Sequence, residues 1–440
     1  MSARTGRAVG AALAALLLIA ADAGESRLEQ YFRLREEGGA AAQAGDLARA
    51  EAKLEAAHSL FPTAPGALIR LARVEVAAGK PGEAVAHLAA YADLDLTWNV
   101  AGDPALKALI GRPDFAPVAA RLAKNAEPVG APQAIATLGE AGEVFEGVVH
   151  VDGGWVLSTV AGRGLVRRDP DGSLRTLLAP DAGTGGLFGM AWDAERKVLW
   201  VAESRGPGIP GSTGEARTGL LKVSWPDGRV LARYVAPDDG RKRQLGDVAL
   251  GEDGAVYASD SVGGSIWRLK PAAGELELFV DSRELGSPQG MTVCPGGRAM
   301  LVADYPSGLH RVDLRSGALT PVGGERVTLA GTDGLFRVEH DFGMRNAGPP
   351  PVAVAATQNG ITPARLMLLR LSPDCDAIEA SSVLAAGHPG MNDLTLGAFG
   401  GGAIVFIGAS GWAGYDGEGR PTARPPSPAN LLLLPPPYGD

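Results

Sequence analysis

The sequence predicts a multidomain chain, α and then all-β: an N-terminal domain of α-helical repeats followed by a six-bladed β-propeller. Three observations predict it. Apolar residues in the first quarter recur at helical spacing. The remainder alternates apolar and polar residues between Gly- and Asp-rich turns. Within that remainder one order of elements returns, as in LGDVALGEDGAVYASDSVGGSIWRL and PQGMTVCPGGRAMLVADYPSGLHRVDL: an apolar strand, a Gly-rich turn, a strand ending in Asp, a third strand. At 440 residues, with 62 Gly and 32 Pro, the chain has length for two cores and turn residues for many short strands.

The elements follow in order. Arg4 and Arg7 precede an apolar run from Ala8 to Ala21, and Ala21-Asp22-Ala23 offers a small-x-small cleavage site. Residues 1–23 are therefore expected to be a signal peptide, with a periplasmic or secreted mature chain; an uncleaved membrane anchor is the alternative. No later apolar stretch is long enough to span a bilayer. Residues 24–125 are rich in Ala, Leu, Glu and Arg. QAGDLARAEAKLEAAHSLFP and AAGKPGEAVAHLAAYADLDL align with Gly45 and Gly79 34 residues apart, and Ala50/Ala84 and Leu54/Leu88 keep that offset. The segment resembles tetratricopeptide repeats, two units with a capping helix near Pro113 to Lys124; generic helical hairpins are the alternative. The resemblance implies a concave face for a protein partner, or one that docks on the second domain. Residues 126–138 read as a linker.

Residues 139–436 read as the propeller. Strand starts superpose at Glu146, Phe188, Gly246, Gln289, Asp333 and Asn392, mostly a little over ~40 residues apart, and ANLLLL reads as the strand that finishes the sixth blade. Consecutive strands are antiparallel, so these starts share a rim with the second-strand ends Glu203, Asp260, Asp304 and Asn359. Carboxylate and amide oxygens from distant parts of the chain then converge on one mouth, a donor set that suits hard divalent cations. The competing reading is structural: Asp at a strand end stabilises the next turn, and Arg268 and Arg311 are placed to pair with such acids. For Asp260 and Asp304 the structural reading is preferred; for Glu146 and Asp333 both stay open.

Other chemistry is largely excluded. A net charge of −9 without clustered Lys or Arg argues against a nucleic-acid partner. There is no G-x-S-x-G elbow, no phosphate-cradling loop and no HExxH, and the six histidines occur singly, without a close pair for zinc. His150 reads as a packed residue, His340 and His388 have no assigned place, and Trp155, Trp192, Trp200 and Trp267 read as blade core. Cys294 and Cys375 read by default as buried thiols, with a disulfide as the alternative.

FEGVV, GMAWDAERKVLWVAES, GDVAL…VYASDS, PQGMTV and DGLF, in this order, resemble the senescence-marker-protein/gluconolactonase family of regucalcin-like six-bladed propellers. TQNGITPAR and NDLTLG resemble a secreted-looking branch of it. The resemblance implies one divalent metal (Ca, Mg, Mn or Zn) held by a Glu, two Asn and an Asp, and ring-opening hydrolysis of a lactone. Glu146 matches the Glu and Asp333 the Asp. Gln289 stands for one Asn and keeps an amide oxygen; Gly246, beside Asp247, stands for the other and offers none. Two hypotheses follow. The first is a metal-assisted hydrolase of lactones or related esters, with Glu146, Asp333 and Gln289 on the metal and Asp333 or Asp247 accepting a proton. The second is a non-catalytic module binding a small molecule or protein at the mouth while the repeats recruit a partner.

Overall fold

The computed structural model describes residues 24–140, 142–212, 214–324, 326–339, 352–423 and 428–436. The expected signal peptide and His340 lie outside the described residues. Among those described, no helix is long and apolar enough to cross a membrane.

The helical domain contains α1 (Arg27–Gln43), α2 (Leu47–Leu60), α3 (Pro65–Ala77), α4 (Pro81–Ala92) and α5 (Ala116–Lys124). Local chemistry sets the ends. Ser26 and Glu29 form a capping box on α1, Asp46 caps α2, and Pro65 and Pro81 open α3 and α4. Gly45 and Gly79 take φ of +79° and +75° at the two hairpin turns, a conformation that disfavours any side chain. Ala50 and Ala84 are fully buried, and a Cβ on Gly38 would stand 2.8 Å from Leu54. The small residues of the repeat are thus where the helices approach most closely.

Six four-stranded antiparallel sheets follow, five of them meanders of consecutive strands. The inner strands are Phe145–Val151, Gly186–Asp193, Leu245–Leu250, Pro288–Val293, Thr332–Arg337 and Gly397–Gly400. Each neighbours the next, and the last returns to the first, so the ring closes. Blade 6 corrects the expected boundary. Its outermost strand is Gln133–Leu138, from the stretch read as linker, paired with Ala429–Leu434. The alternating apolar residues of QAIATL supply the fourth strand, and this pairing fastens the two ends of the propeller.

Cys294 and Cys375 are joined, with Cα atoms 6.4 Å apart, instead of remaining separate thiols. They lie in turns of blades 4 and 5 on the rim opposite the mouth. The mouth rim of the same two blades carries the helical domain. Ser26 Oγ donates to the Arg283 carbonyl (2.8 Å), Thr97 N to the Thr362 carbonyl (2.9 Å), and the buried Arg365 through Nη1 to the Leu94 carbonyl (3.1 Å). Ile361, from TQNGITPAR, is buried in the helical core beside Leu88, Leu96 and Leu106. The repeats therefore dock on the propeller, one of the two outcomes the sequence allowed.

Candidate functional site

The mouth is built by a bulge repeated in five inner strands. In each, two residues oppose one on the second strand: Glu146-Gly147, Phe188-Gly189, Gly246-Asp247, Gln289-Gly290 and Asp333-Gly334. A bulge of this kind re-aims a side chain. In four blades the first residue faces the channel and the second is glycine, because the neighbouring blade leaves no room. A Cβ on Gly147 would lie 2.7 Å from the Phe188 carbonyl oxygen, and one on Gly290 2.3 Å from Leu335 N. The glycines in FEG, FGM, PQG and TDG thus let the inner strands close up.

Glu146, Gly246, Asp247, Gln289 and Asp333 line one cavity of about 90 Å³, with Trp412 on its wall. Asn392 does not join them: it is exposed, and Leu396 takes the sixth place. The sixth inner strand starts only at Gly397, so aligning NDLTLG by its first polar residue misplaced the rim.

The hydrogen bonds divide these groups. Glu146 Oε2 accepts from the Trp412 indole at 2.5 Å, and Asp333 Oδ2 from Asn359 Nδ2 at 2.7 Å, leaving one oxygen of each to the cavity. Gln289 donates through Nε2 to Ser287 Oγ at 2.9 Å, which turns its carbonyl oxygen toward Gly246. Asp247 is different. Its Oδ1 accepts from Val248 N (2.8 Å) and its Oδ2 from Met291 N of blade 4 (3.0 Å), so both oxygens are engaged and Oδ2 clamps the seam between blades 3 and 4.

Electrostatics mark the cavity as short of positive charge. Among the described residues, none of the ion pairs involves Glu146, Asp247 or Asp333. Burial, and then the charge of Asp333, raise the Glu146 carboxyl well above the carboxylate range, although Glu146 keeps some surface on the cavity. Burial pushes Asp333 up to about 7 against the opposing Asn359 bond. It pushes Asp247 up to about 7 as well, against the two backbone bonds.

The second-strand ends take the structural role. Asp260 accepts from Gln244 N and Gly263 N, Asp304 from Gly286 N and Ser287 N, and Glu203 from Gly185 N. Their expected cations pair elsewhere, Arg268 with Glu277 and Arg311 with the Asp374 carbonyl. Asn359 belongs to a different register. Gln358, opposite Thr332, is the counterpart of Asp260 and Asp304, and Asn359 lies one residue further into the mouth. There it holds Asp333 and accepts from Tyr305 Oη at 2.9 Å. His150 packs against Trp155, ring centroids 4.9 Å apart and ring planes tilted by 58°. Trp412 was missed because its indole meets Glu146 across 266 residues, and only its place after a second strand hinted at it.

Residues 41–112 match the tetratricopeptide repeat family model. Those helices are tetratricopeptide repeats. No curated protein matches the chain in sequence. Among solved structures it is similar to a gluconolactonase from Xanthomonas campestris, at 17% identity over 71% of this chain and 93% of that one, TM-score 0.45. It is similar to a calcium-binding regucalcin from Agrobacterium tumefaciens (15%, 69% and 93%, 0.46) and to an aldose sugar dehydrogenase from Streptomyces coelicolor (17%, 70% and 99%, 0.46). Likenesses this distant carry no activity across.

Proposed function

We propose that the propeller mouth binds a divalent cation through Glu146, Gln289 and Asp333, on the frame of a lactone- or ester-hydrolysing enzyme. One observation carries the reading: buried carboxylates share a cavity with no cationic side chain, and two of them keep an oxygen free. Three oxygen donors with room for water suit Ca²⁺, Mg²⁺ or Mn²⁺. A cation held there would polarise a carbonyl and acidify water.

The chain's own residues do the rest. Trp412 fixes Glu146 and Asn359 fixes Asp333, so neither carboxylate needs to reorganise. Asp333 and Glu146 each bring their one free oxygen to the cation, whereas Asp247, with both oxygens engaged, is the architectural residue. The cavity of about 90 Å³ admits an ion and water, whereas pockets for small-molecule ligands span roughly 300–1,000 Å³. Substrate entry therefore requires the mouth to open further. That size also favours the second reading, a non-catalytic propeller whose cation braces the mouth beneath a partner-recruiting helical domain.

Calorimetric titration of chelator-stripped protein with Ca²⁺, Mg²⁺, Mn²⁺ and Zn²⁺, with Glu146→Gln and Asp333→Asn in parallel, tests the cation. Saturable binding lost in both variants supports it; no binding, or binding that survives both, rejects it. A lactone and ester panel on the loaded protein then separates the readings, with turnover abolished by Asp333→Asn marking the hydrolase and none marking the module.

A further inference from the structure

The loop SRGPGIPGSTGEAR of blade 2 carries an arginine near each end, and none of its residues lines the mouth cavity. Arg205 closes the second strand of the blade (Val198–Arg205) and Arg217 opens the third (Arg217–Ser224). The two are direct cross-strand partners. Like charges in that register destabilise a sheet. Arg233, on the outermost strand (Val230–Val235), reaches the same place.

All three guanidinium groups converge on one backbone oxygen. The Gly183 carbonyl accepts from Arg205 Nη2 at 3.0 Å, from Arg217 Nη2 at 3.1 Å and from Arg233 Nη1 at 3.4 Å. A carbonyl oxygen offers two lone pairs, so three donors exceed what it can accept. Among the described residues a single carboxylate pairs with them, that of Glu203, 3.3 Å from Arg217 and 3.5 Å from Arg233. Glu203 is itself buried, and Gly185 N already donates to its Oε1 at 2.6 Å. Arg205 forms no ion pair among the described residues, and Arg217 Nε is buried without an acceptor. A buried donor left over in this way calls for a further acceptor.

The charge count points the same way. Three guanidinium groups against one carboxylate leave a surplus of two positive charges, in a chain whose net charge is −9. The side chains of Arg217 and Arg233 are only 31% and 22% exposed, so water screens that surplus in part.

We propose that Arg205, Arg217 and Arg233 form a binding site for a phosphate group on the rim of blade 2. A phosphate carries nearly two negative charges, which matches the surplus. Its several acceptor oxygens suit planar guanidinium forks, which bind phosphate bidentately. The shared chemistry is the phosphate itself, free or esterified to a small molecule. The Gly183–Gly185 turn leads into the inner strand Gly186–Asp193, which carries Phe188 at the mouth. A cationic rim therefore adjoins an anionic mouth, and the two select different ligands.

The test is calorimetric titration of the full, chelator-stripped chain with inorganic phosphate, methyl phosphate and acetate at equal ionic strength. With divalent ions removed, phosphate has nothing to bridge to at the mouth, so the outcome does not depend on the cation reading. The expected result is one saturable equivalent of phosphate, a raised melting temperature, and acetate at least about tenfold weaker. Methyl phosphate bound as well as the free ion marks an esterified ligand; inorganic phosphate bound more tightly marks the free ion. Arg205→Ala, which breaks no ion pair, should weaken phosphate by about 10–100-fold. Arg217→Lys, which keeps the charge and loses the fork, should weaken it by a smaller factor. Without ligand, Arg205→Ala should melt no lower than wild type, because it removes one of three like charges. No saturable binding, acetate bound as tightly as phosphate, or phosphate affinity unchanged in both variants overturns the proposal and leaves the three arginines as counter-ions of Glu203.

Discussion

Blades 3 and 5 share a backbone but not the order of two residues. In blade 5 the bulge reads Asp333-Gly334, so the carboxylate enters the channel and the glycine meets blade 6. In blade 3 it reads Gly246-Asp247, so the channel position is bare and the carboxylate enters the seam. There it takes two backbone N–H groups, from Val248 and Met291. A one-place exchange on a repeated frame has turned a candidate ligand into a clamp. Residue type alone therefore does not assign function in a propeller; position within the bulge does.

The seams can be broken first. Blades 4 and 5 are stapled by Cys294–Cys375, closing a loop of 81 residues, and reduction should cost about 4–5 kcal/mol by chain entropy. Denaturant melts with and without reductant measure this, and coincident curves would mean that the bond carries no load. Blades 3 and 4 rely on Asp247. Asp247→Ala strands two buried N–H groups and should destabilise by about 3 kcal/mol, against a much smaller loss for the exposed Asn392→Ala.

The channel positions come next. Asp333→Asn should lower divalent affinity at least about tenfold, or 1.4 kcal/mol, while stabilising the chelated protein near neutral pH. The sign follows from the raised pKa. A carboxyl at about 7 in the fold and near 3.8 unfolded contributes stability that is complete below pH ~4 and lost as pH rises through ~7. Chelated wild type should thus melt lower at pH 8 than at pH 5, more steeply than Asp333→Asn, and added cation should reverse the trend. The smallest effect sharpens the comparison most. A Cβ on Gly246 would find its nearest neighbours at 3.6–3.8 Å, ordinary contact distances, and the backbone there is not left-handed. Gly246→Asn should therefore fit and add a fourth oxygen, raising affinity by several-fold up to about tenfold. Unchanged or weaker binding would place the cation away from blade 3.

Much of this was legible in the sequence. The 34-residue offset of Gly45 and Gly79 gave the repeats because helical packing is local. The recurring strand starts located Glu146, Gln289 and Asp333 because a bulge at fixed register aims every first residue alike. The failures share a cause. Asn359 against Gln358 and the role of Asp247 turn on a one-residue shift, and Asn392 against Leu396 on a shift of four, which alignment by residue type cannot resolve. Trp412 over Glu146 and the strand from 133–138 depend on contacts between distant segments, which leave no local periodicity. TQNGITPAR shows both sides: its order was visible, but not that Asn359 holds Asp333 while Ile361 and Arg365 anchor the helical domain.

Anomalous diffraction from crystals loaded with Mn²⁺ tests the central claim most directly. The mouth reading predicts a single strong peak on the propeller, in coordination distance of Glu146, Gln289 and Asp333, with Asp247 still bound to Met291 N. A cavity without a peak, or a peak coordinated by Asp247 and not by Asp333, would contradict it.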